Sequence, residues 1–138
     1  MDIYLLVRIS ICVALLILFL LQTKRKPEQV ILEEKPAIEV FMTNKSPTEV
    51  LMTAQSVVAS KRGRLYEMSE DTAIFMRDTS LWNTGYVLTI EITNHNKQFN
   101  KVIFSLYPKS SIVLGTGRHM KKAALKMVNI LCDRLNLE

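Results

Sequence analysis

Four consecutive residues, which join a predicted strand to the last predicted helix, have the types that can bind an anion. Gly115, Thr116, Gly117 and Arg118 form a GTGR turn, and Lys121 follows one turn later. A helix N-terminus carries partial positive charge and free N–H groups, so Gly115, Gly117, Arg118 and Lys121 are candidate ligands for a phosphate, a lipid headgroup or a carboxylate. A solvated glycine turn is the competing interpretation, because the pattern matches neither a dinucleotide fingerprint nor a P-loop.

A second candidate is a pair of large apolar residues, Leu81 and Trp82, inside a segment predicted to be a loop. If it is exposed, Trp82 is a contact anchor for a protein partner. If it is tucked beneath the sheet edge, the same indole fills a gap in the core. Both interpretations remain open on the sequence alone.

Residues that would support catalysis or metal binding do not form a known pattern. The two histidines, His95 and His119, have no cysteine near them, and neither CxxC nor HExxH spacing occurs. We therefore expect no metal and no cofactor, and a binding role rather than a catalytic one. The two cysteines, Cys12 and Cys132, are expected to be free thiols.

The first apolar stretch predicts a membrane anchor. From Ile3 to Leu21 the one charge is Arg8, and the stretch would span roughly 30 Å as a helix. Its uncharged part is shorter, about 14 residues through Gln22, which is also typical of a signal-peptide core. Because no small-residue cleavage site comes after it, we expect an uncleaved signal-anchor over 1–23 that contacts lipid through 3–22.

Three basic residues at the end of the apolar stretch set its predicted orientation. Lys24, Arg25 and Lys26 are expected to flank the membrane, and the positive-inside rule places the rest of the chain in the cytoplasm. The alternative is that Arg8 acts as the basic flank of a signal, which would reverse this orientation. The predicted localisation is therefore a single-pass membrane protein with a cytoplasmic domain.

The remainder of the chain predicts a linker over 24–36 and a soluble α+β domain over 37–138. Ser46, Pro47 and Glu49 form a helix start, and Gly63 is the expected stop. The residues from Tyr86 to Thr93 alternate between apolar and polar, as in a half-buried antiparallel strand. Further strands are expected over 37–42, 64–70, 73–77, 101–107 and 111–114, and an amphipathic helix over 119–136.

Composition and element order together predict the fold class. The chain has 138 residues, of which 49% are hydrophobic, and a net charge of +5, so one small domain beyond the anchor is expected and a large multidomain enzyme is excluded. Neither domain helix can bury its apolar stripe alone. We therefore predict a small two-layer α+β domain: an antiparallel sheet of about 4–6 strands with two helices on one face, preceded by a transmembrane helix.

These features favour a membrane-tethered protein-interaction or assembly module, which holds a protein partner or a second copy. The alternative is a domain, or a small enzyme, that binds an anionic phosphate, nucleotide or lipid headgroup at the GTGR turn. Nucleic acid is disfavoured, because the sequence has no basic strand interleaved with aromatic residues and no docking motif.

Overall fold

The computed structural model describes residues 2–23, 25–78, 85–109 and 116–137. Helices and strands alternate irregularly along these ranges. In chain order they are α1 (Ile3–Thr23), α2 (Pro27–Glu33), β1 (Ala37–Thr43), α3 (Pro47–Ser60), β2 (Arg64–Met68), β3 (Thr72–Arg77), β4 (Tyr86–Asn94), β5 (Asn100–Pro108) and α4 (Thr116–Leu137).

The five strands form one antiparallel sheet in the order β1-β5-β4-β3-β2. The first strand therefore pairs with the last, and both β1 and β2 are edge strands. This arrangement confirms the predicted α+β class and the antiparallel sheet. The predicted strand at 111–114 lies outside the described residues.

One face of the sheet and two helices enclose the hydrophobic core. Alternation along β4 places Leu88 and Ile90 on this face, as the sequence predicts, and both are fully buried. Helices α3 and α4 contribute the other half of the core and contact each other. Central members of the cluster are Val50, Leu51, Val58, Phe75, Leu88, Ile90, Phe104, Leu106, Ala124 and Leu131.

Helix α3 begins as predicted. The Ser46 side chain accepts a hydrogen bond from the Glu49 N–H at 3.3 Å, and Pro47 occupies the first helical position. The helix ends at Ser60, before the expected stop at Gly63. Arg62 adopts the left-handed φ of 64°, and the Gly63 N–H closes the turn onto the Val58 carbonyl at 2.9 Å.

A short helix covers part of the opposite face of the sheet. Helix α2 lies within the predicted linker, contacts β4 and β5, and buries Val30 completely. Val87 of β4 is also fully buried but lies outside the main core, as its position on the opposite side of the pleat requires. The segment before β1 is therefore packed against the sheet.

Helix α1 is built from the first apolar stretch, and its described apolar side chains are exposed. Over the residues that the structure describes, however, no helix meets the length and apolarity needed to cross a bilayer. The uncharged part beyond Arg8 would be only about 20 Å long as a helix, which is short of the roughly 30 Å hydrocarbon core. The predicted transmembrane helix is wrong, and so are the signal-anchor and the single-pass localisation that depended on it. The orientation predicted from the flanking basic residues therefore loses its basis.

Candidate functional site

The structure describes only some of the residues that the sequence predicted as binding sites. Arg118 and Lys121 lie on exposed positions of α4, and Gly117 is in its first turn. Gly115, Leu81, Trp82 and Lys24 fall outside the described residues. The anion site at the GTGR turn and the Leu81–Trp82 contact therefore stay predictions.

A cleft of about 560 Å³ brings together residues from four separate segments of the chain. We call it the basic cleft, because four of its side chains are cationic and one is acidic. Its walls come from the start of α2, from β2, from the end of β3 and from the residue after β5. The lining residues are Arg25, Lys26, Pro27, Arg64, Leu65, Tyr66, Met76, Asp78 and Lys109.

Arg25 lines the basic cleft and is held in place by other residues of the fold, and only 9% of its side chain is exposed. Its guanidinium lies 2.8 Å from a Glu33 carboxylate oxygen and 2.9 Å from one of Glu34. It also donates to the Lys109 carbonyl at 2.7 Å. The hydrogen bond from Arg25 is the main cause of a lowered pKa at Glu33. Arg25 therefore links the segment before α2 to the end of that helix and to the residue after β5.

Lys109 forms the floor of the basic cleft. Only 3% of this side chain is exposed, and its ammonium lies 2.9 Å from a carboxylate oxygen of Asp78. That hydrogen bond is the main reason why the pKa of Asp78 is lowered. A buried ammonium is costly without a counter-charge, and Asp78 supplies that counter-charge.

Arg64 is held much less firmly than the two buried cations. Its side chain is 65% exposed, and its guanidinium lies 3.4 Å from the second Asp78 oxygen, too far for a strong hydrogen bond. Its other described contact is with the Met76 sulfur at 3.6 Å. Lys26 is also exposed at the rim. These two cations can turn toward a ligand without breaking a strong interaction.

The remaining wall of the basic cleft is largely apolar. Leu65 and Met76 supply aliphatic surface and Pro27 a ring. The Tyr66 hydroxyl donates to Glu28 at 2.9 Å, and this bond is the main cause of a raised pKa at Tyr66. This hydrogen bond holds the Tyr66 ring at the side of the cleft.

The free edge of β1 is a second surface with unusual properties. The strand pairs with β5 in continuous register from Ala37 to Thr43, without a bulge. Alternation puts Ile38, Val40 and Met42 on the sheet face away from α3 and α4, where they are 56%, 50% and 46% exposed. We call these three residues and the outer backbone of the strand the β1 edge.

The opposite edge of the sheet, formed by β2, differs from the β1 edge in its length and in the regularity of its register. Strand β2 is shorter, and its register shifts between Leu65 and Glu67, which marks a bulge. It also carries Arg64 and Glu67. Short length, bulges and charges are the devices by which edge strands resist pairing with another chain.

In the described ranges, no three His, Cys, Asp or Glu side chains lie close enough to hold a metal ion. Several of the cleft residues were missed by sequence reasoning, since the Arg25–Lys109 hydrogen bond joins positions 84 apart in sequence. No short motif marks Arg64, Tyr66, Asp78 or Lys109 as members of one cleft.

Comparison with known proteins adds no assignment to either surface. The chain matches none of the protein-family models and none of the curated proteins with which it was compared.

Proposed function

We propose that the protein is an assembly module that joins a second copy of itself through the β1 edge. The observation that supports the proposal is the combination of a seven-residue strand without a bulge and three exposed apolar side chains. A long, regular and apolar edge presents unpaired N–H and C=O groups and is a template for another strand.

Self-pairing is favoured over another partner because the β1 edge is complementary to itself. In an antiparallel pair related by a two-fold axis at Val40, Val40 faces Val40 and Ile38 faces Met42 of the second copy. In the same register Glu39 faces Phe41, so no like charges are opposed within the strand. The Val40–Val40 and Ile38–Met42 pairs each place two apolar side chains about 5 Å apart.

The resulting sheet would have ten strands, and α4 would cover β1 on one face in both copies, because it contacts β1 within each chain. Two seven-residue strands bury less than the roughly 800 Å² per partner of a standard interface. The expected dimer is therefore weak, with a Kd in the micromolar range or above. An assembly of this kind responds to the local concentration of the chain.

Replacing Val40 with lysine is expected to weaken self-association at least about 10-fold, a change of about 1.4 kcal/mol. The two lysines would face each other across the two-fold axis, and like charges at such positions oppose pairing. Because Val40 is half exposed in the single chain, the fold should tolerate the change. Sedimentation velocity of the full chain over a range of concentrations measures the effect.

The matched control is Met52→Lys, at an exposed position of α3 away from the β1 edge. Helix α1 is identical in all three chains, so a difference among them reports on β1. The proposal requires Val40→Lys to dissociate at concentrations where the wild type and Met52→Lys remain associated. Identical sedimentation of all three chains would overturn it.

A further inference from the structure

We infer that the basic cleft binds a small monocarboxylate with an apolar or aromatic body. The cleft is lined by α2, β2, β3 and the residue after β5, and none of its lining residues belongs to the β1 edge, so this binding is independent of the proposed assembly. Its volume of about 560 Å³ lies within the range of small-molecule sites.

The charges of the basic cleft favour a single negative charge on the ligand. Arg25 is matched by Glu33 and Glu34, and Lys109 is matched by Asp78. The cations that can still bind an anionic ligand are Arg64, whose contact with Asp78 is 3.4 Å long, and Lys26 at the rim. A carboxylate placed between them would take one bidentate contact from the Arg64 guanidinium, whose planar fork fits that group.

The apolar wall determines what the rest of the ligand must be. Leu65, Met76 and Pro27 line the cleft beside the Tyr66 ring. An aliphatic or aromatic body displaces water from this surface, whereas a strongly hydrated body would gain little from it.

Asp78 competes with the ligand for the same guanidinium. When Arg64 turns toward a carboxylate, it leaves the second Asp78 oxygen, whose contact at 3.4 Å is weak. Removing the charge of Asp78 should therefore increase the affinity for the ligand, while removing Arg64 should decrease it. Two neighbouring substitutions with effects of opposite sign distinguish a specific site from a general change in stability.

Isothermal titration calorimetry of the full chain with phenylacetate and with octanoate tests the inference. We expect a Kd below about 1 mM for at least one of these probes. Arg64→Ala should weaken binding at least 10-fold, Asp78→Asn should strengthen it at least 2-fold, and phenylacetamide, which lacks the charge, should not bind. Arg118→Ala is the matched control, because it removes an exposed arginine from the GTGR turn instead.

Several results would overturn the inference. Absence of heat with both carboxylates up to 10 mM would do so, as would equal affinity of phenylacetamide. A loss with Arg118→Ala as large as that with Arg64→Ala would move the anion site to the start of α4. Tighter binding of inorganic phosphate than of either probe would exclude the monocarboxylate assignment. None of these outcomes bears on the β1 edge.

Discussion

Replacing Gly63 with alanine is expected to lower the free energy of unfolding by about 3 kcal/mol, as overpacking in a rigid site does. A Cβ at this position would lie 2.5 Å from the Tyr86 hydroxyl oxygen, and closer still to Cγ1 of Val58. The Val58 side chain is short and buried in the core, so it cannot swing away. Urea unfolding followed by circular dichroism measures the loss.

A Tyr86→Phe variant, which lacks the Tyr86 hydroxyl, provides the matched background for that measurement. This hydroxyl is buried and has no hydrogen-bond partner among the described residues, and burial raises the pKa of Tyr86. Tyr86→Phe removes this unsatisfied group and should be neutral or stabilising by up to about 1 kcal/mol. In that background Gly63→Ala should cost about 1 kcal/mol less, because one of the two close contacts is gone.

A loss below about 0.5 kcal/mol for Gly63→Ala would contradict the described packing of this turn against the core. Thr48→Ala is the control, since Thr48 is exposed in α3. It should change stability by less than about 0.5 kcal/mol.

Replacing Asp78 with asparagine is expected to destabilise the fold by about 2 kcal/mol, because it leaves the buried Lys109 ammonium without its counter-charge. This is below the 3–5 kcal/mol typical of fully buried pairs, since Asp78 itself is largely exposed. In a Lys109→Met background, the same substitution should cost close to nothing. Urea unfolding of the wild type, the two single variants and the double variant gives the coupling free energy between Asp78 and Lys109. A coupling near zero would show that the two side chains do not stabilise each other.

The stability difference between the wild type and Asp78→Asn should depend on pH with a definite sign. The folded-state pKa of Asp78 is lowered, chiefly by the hydrogen bond from Lys109. The stability it contributes is thus fully present above the unfolded-state pKa of about 3.9 and is lost as pH falls through the lower folded-state pKa. The wild type should therefore approach Asp78→Asn in stability below about pH 4.

The parts of the fold that depend on local patterns were predictable. Alternation along β4 identified its buried face, and the Ser46 cap located the start of α3, because both signals lie within a few consecutive residues. Helix α2 was missed, since seven residues carry no helical period. Its position depends on Val30 and on the contacts of Arg25, which are tertiary.

The two candidate surfaces could not be predicted for the same reason. The sequence identifies β1 as a strand, but nothing local shows that it pairs with the last strand and is left at the edge of the sheet. The basic cleft needs Arg25, Arg64, Asp78 and Lys109 to meet through long-range packing. Hydropathy led to a wrong prediction, because the apolar stretch that includes Arg8 suggested a membrane span, and α1 does not satisfy the requirements for one.

The most direct test of assembly through the β1 edge is disulfide cross-linking at the two-fold axis. Cysteine at position 40 should face itself in the second copy, with Cα atoms about 5 Å apart, which a disulfide can bridge. The full chain would carry Cys12→Ser and Cys132→Ser, which remove the two native thiols. Val40→Cys is then compared with Met52→Cys under mild oxidation.

We expect Val40→Cys to form a covalent dimer under conditions where Met52→Cys remains monomeric. A mixture of Ile38→Cys and Met42→Cys chains should cross-link to each other more than either does alone, because these positions face one another in the proposed register. Equal cross-linking at positions 40 and 52, or none at position 40, would contradict assembly through this edge.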